Sequence, residues 1–267
     1  MIERVLAPNP SLYTGPGTNT YLLSDRDEVL IVDPGPVIAS HEAAIGVAIG
    51  GRTPVGVVAT HTHPDHAPLA NPLARRLGVP VYGYGVGPGF VPDMRLADGG
   101  EIVFGERAVT AVHTPGHTAD HLCFKLDDIL LTGDHIMGGS TVVIEDAATY
   151  LESLYRVRDL AVARIEPGHG PSIDDAGAVI NEYIDHRIAR EAQILDAIRH
   201  GAHTIGDIID TVYVGVPAGL RTATVRQVAV QLKKLFADGE VWFGEGVAEE
   251  QTQVRLREGE RCDSESS

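Results

Sequence analysis

The chain has 267 residues, 43% hydrophobic and 22% charged, the proportions of a folded globular protein rather than a disordered or fibrous one. Its formal net charge of −16 excludes a simple basic-patch binder of duplex DNA or of a membrane surface. No apolar run of about 18 residues exists to span a membrane, no secretory leader is visible, and two distant cysteines make no disulfide framework, so a cytoplasmic location is expected.

Short β segments and turns fill residues 1–180. TYLLS (20–24) and VLIVD (29–33) read as a hairpin, ended by Asp33-Pro34-Gly35-Pro36. Residues 39–50 read as a glycine-weakened helix, and VGVVATH (55–61) as a strand buried on both faces. Further strands are expected at VPVYG, EIVFG, VTAVHT, LCFKL and DILLTGD, which together indicate a layered α/β protein. After residue 180 the pattern becomes helical. Ile180, Ile184, Ile188, Leu195 and Ile198 form one stripe, TIGDIIDTVY a short helix, and Val225, Val228, Leu232, Leu235 and Phe236 the inward face of a third. Asp238-Gly239 then turns into VWFGEG. The division is therefore 1–180 and 181–267, the latter either winged-helix-like or a helical cap, with a frayed tail GERCDSESS. Both regions are acidic, which argues against a duplex-DNA reader.

Twelve histidines are the informative count. His61-Thr62-His63-Pro64-Asp65-His66 follows a strand directly. Histidines two apart in extended backbone point the same way, so His61 and His63 can share one ion, while Asp65 and His66 turn toward a second. Thr114-Pro115-Gly116-His117 presents a histidine at a loop tip, as does Pro167-Gly168-His169-Gly170. Asp134 ends an apolar strand in Leu131-Thr132-Gly133-Asp134-His135. Two sites result: His61, His63 and His117 for one metal, Asp65, His66 and His169 for another, with Asp134 bridging. Asp120 and His121 are candidates for hydrogen bonds behind the ligands; His113 and His135 read as packed residues. Nitrogen and oxygen donors without thiolate suit two Zn²⁺ per chain, with Mn²⁺ or Fe²⁺ as alternatives. A bridging hydroxide is the expected nucleophile, with Asp65 orienting it or taking its proton. Asp65 and Asp134 are thus the catalytic candidates.

The series THTHPDH, TPGH, TGD and PGHG resembles the metallo-β-lactamase superfamily in order and spacing. That resemblance implies an αββα sandwich, with the metals at one edge of two sheets. Asp134 stands where the true lactamases of the main zinc class carry cysteine, which argues against antibiotic hydrolysis. GTNTYLL (17–23), TPGHTADH (114–121) and residues 170–195 also resemble the lactamase-beta-like protein two group, which has a winged-helix tail. This implies a zinc-dependent endoribonuclease acting on single-stranded RNA. On the same basis Asn19 lies in a loop approaching the site, and His186 and Arg187 contact a phosphate or carboxylate. The alternative is a small-molecule hydrolase of a thioester or lactone, of the glyoxalase II kind. A single-iron dioxygenase and a binding protein with structural metals fit the complete ligand set less well. Single-stranded RNA or a small ester or thioester is therefore the expected partner, and a homodimer stays open.

Overall fold

The computed structural model describes residues 1–138, 142–244 and 246–257. Its described residues form two compact units. The first contains Met1–Val143 with Thr149–Ile184; the second contains Ile144–Ala148 with the residues from Asp185 onward. The tail GERCDSESS and Glu245 of VWFGEG lie outside the described residues. Among those residues no helix is long and apolar enough to cross a membrane.

The first unit is built on two sheets. One has six strands in sequence order: β1 (Ile2–Leu6), β2 (Asn19–Asp25), β3 (Glu28–Val32), β4 (Thr53–Val58), β5 (Val81–Gly83) and β6 (Met94–Arg95). The other has five, in the order β11 (Arg164–Pro167), β10 (Ile129–Gly133), β9 (Leu122–Leu126), β8 (Arg107–His113) and β7 (Glu101–Phe104). The helices of this unit are α1 (Ala39–Ile49), α2 (Ala70–Leu77), α3 (Ala147–Asp159) from Thr149 onward, and the start of α4 (Ala176–Arg199). The β2–β3 hairpin closes through Arg26 and Asp27, with Arg26 at φ 52°, as the sequence reading expects of residues 25–28.

Strand β3 shows why its sequence is a continuous apolar run. Leu30 and Val32 join a core with Val58, Phe104, Val109, Leu122, Phe124 and Leu131, which lies between the two sheets. Val29 and Ile31 point the other way, into a core with Ile45 and Ile49 of α1 and Leu73 and Ala74 of α2. A strand covered on both faces has no polar side to show. On α3, Tyr150, Leu154 and Val157 are buried at i, i+4 and i+7.

The second unit holds the rest of α4, then α5 (Ile205–Val212), α6 (Arg221–Ala237) and a hairpin of β12 (Val241–Phe243) with β13 (Val254–Leu256). Thr204 caps α5 through a reciprocal capping box with Asp207. Its core contains Ile194, Ile198, Ile205, Ile208, Val228, Leu232, Val241 and Val254. Two expected core residues are corrected. Ile188 is 46% exposed and Phe236 39% exposed. Each lies at the margin of its stripe, where a helix of 3.6 residues per turn rotates away from the core. Ile194, outside the expected stripe, is fully buried instead.

Phe124 is fully buried between the sheets. We expect Phe124→Ala to destabilise the protein by about 3–5 kcal/mol, measured by denaturant unfolding. A loss below about 1 kcal/mol would contradict its place in the central core.

Candidate metal centre

The ends of several strands from both sheets meet at one edge of the first unit. Strands β3 and β4 run parallel, so Asp33 and the segment 60–66 emerge side by side. Strands β10 and β11 are also parallel, which brings Asp134 beside the 168–170 turn. Backbone hydrogen bonds join the sheets here: Leu122 N donates to Thr60 O at 2.7 Å, and Asn19 N to Gly168 O at 2.8 Å. The loop 114–121 between β8 and β9 supplies His117.

Seven side chains converge in two groups. His61, His63, His117 and Asp134 offer ligand atoms within 4.8 Å of one another, and so do Asp65, His66, Asp134 and His169. His117 Nε2 lies 3.3 Å from His61 Nε2 and 3.1 Å from His63 Nδ1. In the second group His66 Nε2 lies 3.2 Å from both His169 Nε2 and Asp134 Oδ1. His169 Nε2 is 3.3 Å from Asp134 Oδ1 and 3.2 Å from Asp65 Oδ2, and His66 Nε2 is 3.6 Å from Asp65 Oδ2. Asp134 turns Oδ1 to this group and Oδ2 toward His117, at 3.7 Å. For donors about 2.0–2.1 Å from a tetrahedral ion, the ligand–ligand edge is about 3.3 Å. The measured separations cluster around that edge, so the residues present fit two ions sharing one carboxylate.

The outer ring nitrogens agree. His117 Nδ1 donates to Val143 O at 2.6 Å, His169 Nδ1 to Gly17 O at 3.1 Å, and His66 Nδ1 to Asp33 Oδ2 at 2.9 Å. His61 Nδ1 lies 3.0 Å from Thr60 Oγ1, whose own proton goes to Asp33 Oδ2. With the outer nitrogens acting as donors, the inward ones keep a lone pair for a cation. Burial pulls His61 well below the usual imidazole range. Burial would lower His66 too, but Asp134 and Asp33 outweigh it and raise it well above. Desolvation opposes the Asp134 carboxylate, yet His66 and His169 hold it well below the carboxylate range. The two carboxylates draw positive charge into a dry site, a demand that bound cations meet.

Close packing leaves little tolerance. A Cβ on Gly168 would stand 2.8 Å from both Asp134 Oδ1 and His66 Cε1. Gly116, at φ 127°, lets the His117 loop seat against the backbone of Tyr150.

The other expected site residues divide. His121 stands behind the ligands: its Nε2 accepts from Asp134 N at 3.2 Å, and its Nδ1 lies 2.9 Å from Thr114 Oγ1. Asp120 is half-buried and makes no hydrogen bond to the cluster among the described residues. Asn19 is a strut, its Nδ2 donating to Pro167 O and Gly170 O at 2.9 Å each. His186 and Arg187 belong to the second unit, where His186 is exposed and Arg187 buried. His113 ends β8 and stacks on Tyr84.

Asp33 is the residue that sequence reasoning misses. It reads only as part of a strand stop. In the structure it adopts φ 50°, accepts from Thr60 N at 2.7 Å, and orients His66. A non-glycine residue held there is strained, and such strain gathers at functional sites. The available signal was an acid ending a doubly buried run. We expect Asp33→Ala to weaken metal affinity roughly 10–100-fold, measured by chelator competition. Unchanged affinity would show that His66 is oriented without it.

The sequence profile of the Metallo-beta-lactamase superfamily matches residues 13–169. A Beta-lactamase-like protein 2 homolog of Caenorhabditis elegans is 34% identical over 252 residues, covering 90% of this chain and 85% of that protein. An Atrochrysone carboxyl ACP thioesterase of Aspergillus chevalieri is 31% identical over 259 residues, covering 91% and 83%. The crystal structure of a Beta-lactamase domain protein from Burkholderia ambifaria superposes with a TM-score of 0.82 at 21% identity, covering 96% and 91%. With this sequence match and this fold, the chain belongs to the metallo-beta-lactamase superfamily and is a metal-dependent hydrolase.

Proposed function

We propose that the chain is a two-zinc hydrolase of a small thioester. The single observation behind the two-metal part is Asp134, whose two oxygens face two separate histidine groups. Five imidazoles and two carboxylates without thiolate suit Zn²⁺. Cys123 belongs to neither group of donor side chains, and burial pushes its thiol up to about 12. Ions held by these residues would lower the pKa of bound water and polarise the bond to be cleaved.

The chain's own residues account for positioning and proton transfer. Asp65 is the more exposed carboxylate of the cluster; it turns Oδ2 toward His66 and His169, leaving Oδ1 to take the proton of the attacking water. Water adds to the thioester carbonyl, the C–S bond breaks, and an acid and a thiol are released. A thiol with a pKa of about 8.5 departs as thiolate without a dedicated acid.

Sequence alone ranks single-stranded RNA above a thioester or lactone. Two observations favour the thioester instead. The described segments that build the centre, residues 7–18, 33–38, 59–69, 114–121, 134–138, 142–143 and 167–173, contain no Lys or Arg. A polyanion needs such cations along its phosphates. Among the described residues Arg4 reaches the Gly170 carbonyl from β1, a single positive charge against a net charge of −16. The fungal relative named as a thioesterase matches almost the whole chain. The second reading, RNA cleavage, is favoured by the equally extensive match to the worm Beta-lactamase-like protein 2 homolog.

The test compares zinc-loaded wild type and Asp134→Ala on short acyl thioesters and on labelled single-stranded RNA. We expect wild-type thioester turnover, falling about a thousandfold in the variant, as losing several kcal/mol of transition-state stabilisation implies. Cleavage of RNA with thioesters untouched would reverse the substrate assignment. Equal turnover by both proteins would remove Asp134 from the mechanism.

A further inference from the structure

The second unit carries a groove of about 690 Å³ between α6 and the β12–β13 hairpin. It is lined by Lys233, Phe236, Trp242, Phe243, Arg255 and Arg257, with Gly244 and Leu256. Its volume is that of a small-molecule site. Three features distinguish it from the rest of this acidic chain.

The first is its charge. Arg221 pairs with Asp210 and Glu250, and Lys234 with Glu191 and Asp238. Lys233, Arg255 and Arg257 form no ion pair among the described residues. Three cations therefore face one groove with no carboxylate partner among the described residues. The second is its aromatic surface. Phe236 packs edge-on against Phe243, and Phe236 and Trp242 are each 39% exposed. The third is the way the hairpin combines the two. Trp242 and Arg255 are cross-strand partners, and the guanidinium lies 4.9 Å from the indole centroid. Arg257 lies 4.5 Å from the Phe236 centroid. These cation–π contacts hold both guanidinium groups beside flat rings.

Flat apolar faces bordered by cations outside any ion pair among the described residues complement a ligand that is planar at one end and anionic at the other. We propose that this groove binds a free nucleotide, its base on Trp242 and Phe236 and its phosphates on Lys233, Arg255 and Arg257. Base–aromatic stacking is worth about 1–3 kcal/mol and tolerates any base. A mononucleotide brings few charges, so long-range repulsion from the chain opposes it far less than it opposes a polyanion.

Trp242 is the protein's single tryptophan, so its fluorescence reports on this groove alone. The experiment titrates the full chain with ADP, adenosine, pyrophosphate and an eight-nucleotide RNA, in parallel with Lys233→Glu/Arg255→Glu. We expect ADP to quench Trp242 saturably. Adenosine, pyrophosphate and the double variant should each bind at least about tenfold more weakly. Circular dichroism and hydrolase turnover of the variant should match wild type, since neither residue belongs to the metal centre. No saturable change with millimolar ADP overturns the proposal. So does wild-type affinity in the variant. Binding of the RNA without binding of ADP overturns the free nucleotide as occupant.

Discussion

A carboxylate buried among histidines is the constraint on which this architecture depends. Removing Asp134 from water costs several kcal/mol unless positive charge stands beside it. His66 and His169 approach its Oδ1 from one side and His117 approaches Oδ2 from the other. None of these residues is near another in sequence except through the fold. The two sheets exist, from the site's point of view, to bring five strand ends to one edge. The hydrogen bonds from Leu122 to Thr60 and from Asn19 to Gly168 fix that edge across the sheets.

Behind the ligands stands a second set of residues that makes the geometry reproducible. Asp33, Thr60, His121 and the carbonyls of Gly17 and Val143 each hold a ring or a backbone group in place. Such partners set the tautomer of each histidine, and the tautomer decides whether a lone pair faces inward. The main chain supplies much of this support, so it leaves little trace in side-chain identity. Residues such as Gly168 matter for what they lack.

The seven residues that the structure gathers into two groups stood out in the sequence because their spacing has no packing explanation. Histidines at 61 and 63, the aspartate at 65 and the histidine at 66 crowd four donor side chains into six residues, a pattern suited to cations. His117 and His169 were legible because proline and glycine frame them at loop tips. Asp33 was not, since an acid before Pro-Gly looks the same whether it ends a strand or orients a ring. Asn19 was expected near the site and is there, but as a tie between loops. Ile188 and Phe236 show that a helical stripe gives a direction with soft margins. The substrate was not legible because one ligand set serves phosphoesters and thioesters alike. The basic groove was hidden because Lys233, Arg255 and Arg257 meet only when the hairpin folds onto α6.

The proposed centre is a pair of zinc ions held by nitrogen and oxygen donors and joined through Asp134. Zinc K-edge X-ray absorption of the protein loaded with two equivalents tests it most directly. The account predicts a first shell of nitrogen and oxygen without sulfur, and a metal–metal separation of about 3.5–4 Å. A sulfur ligand, or isolated zinc with no metal neighbour at that distance, would contradict it.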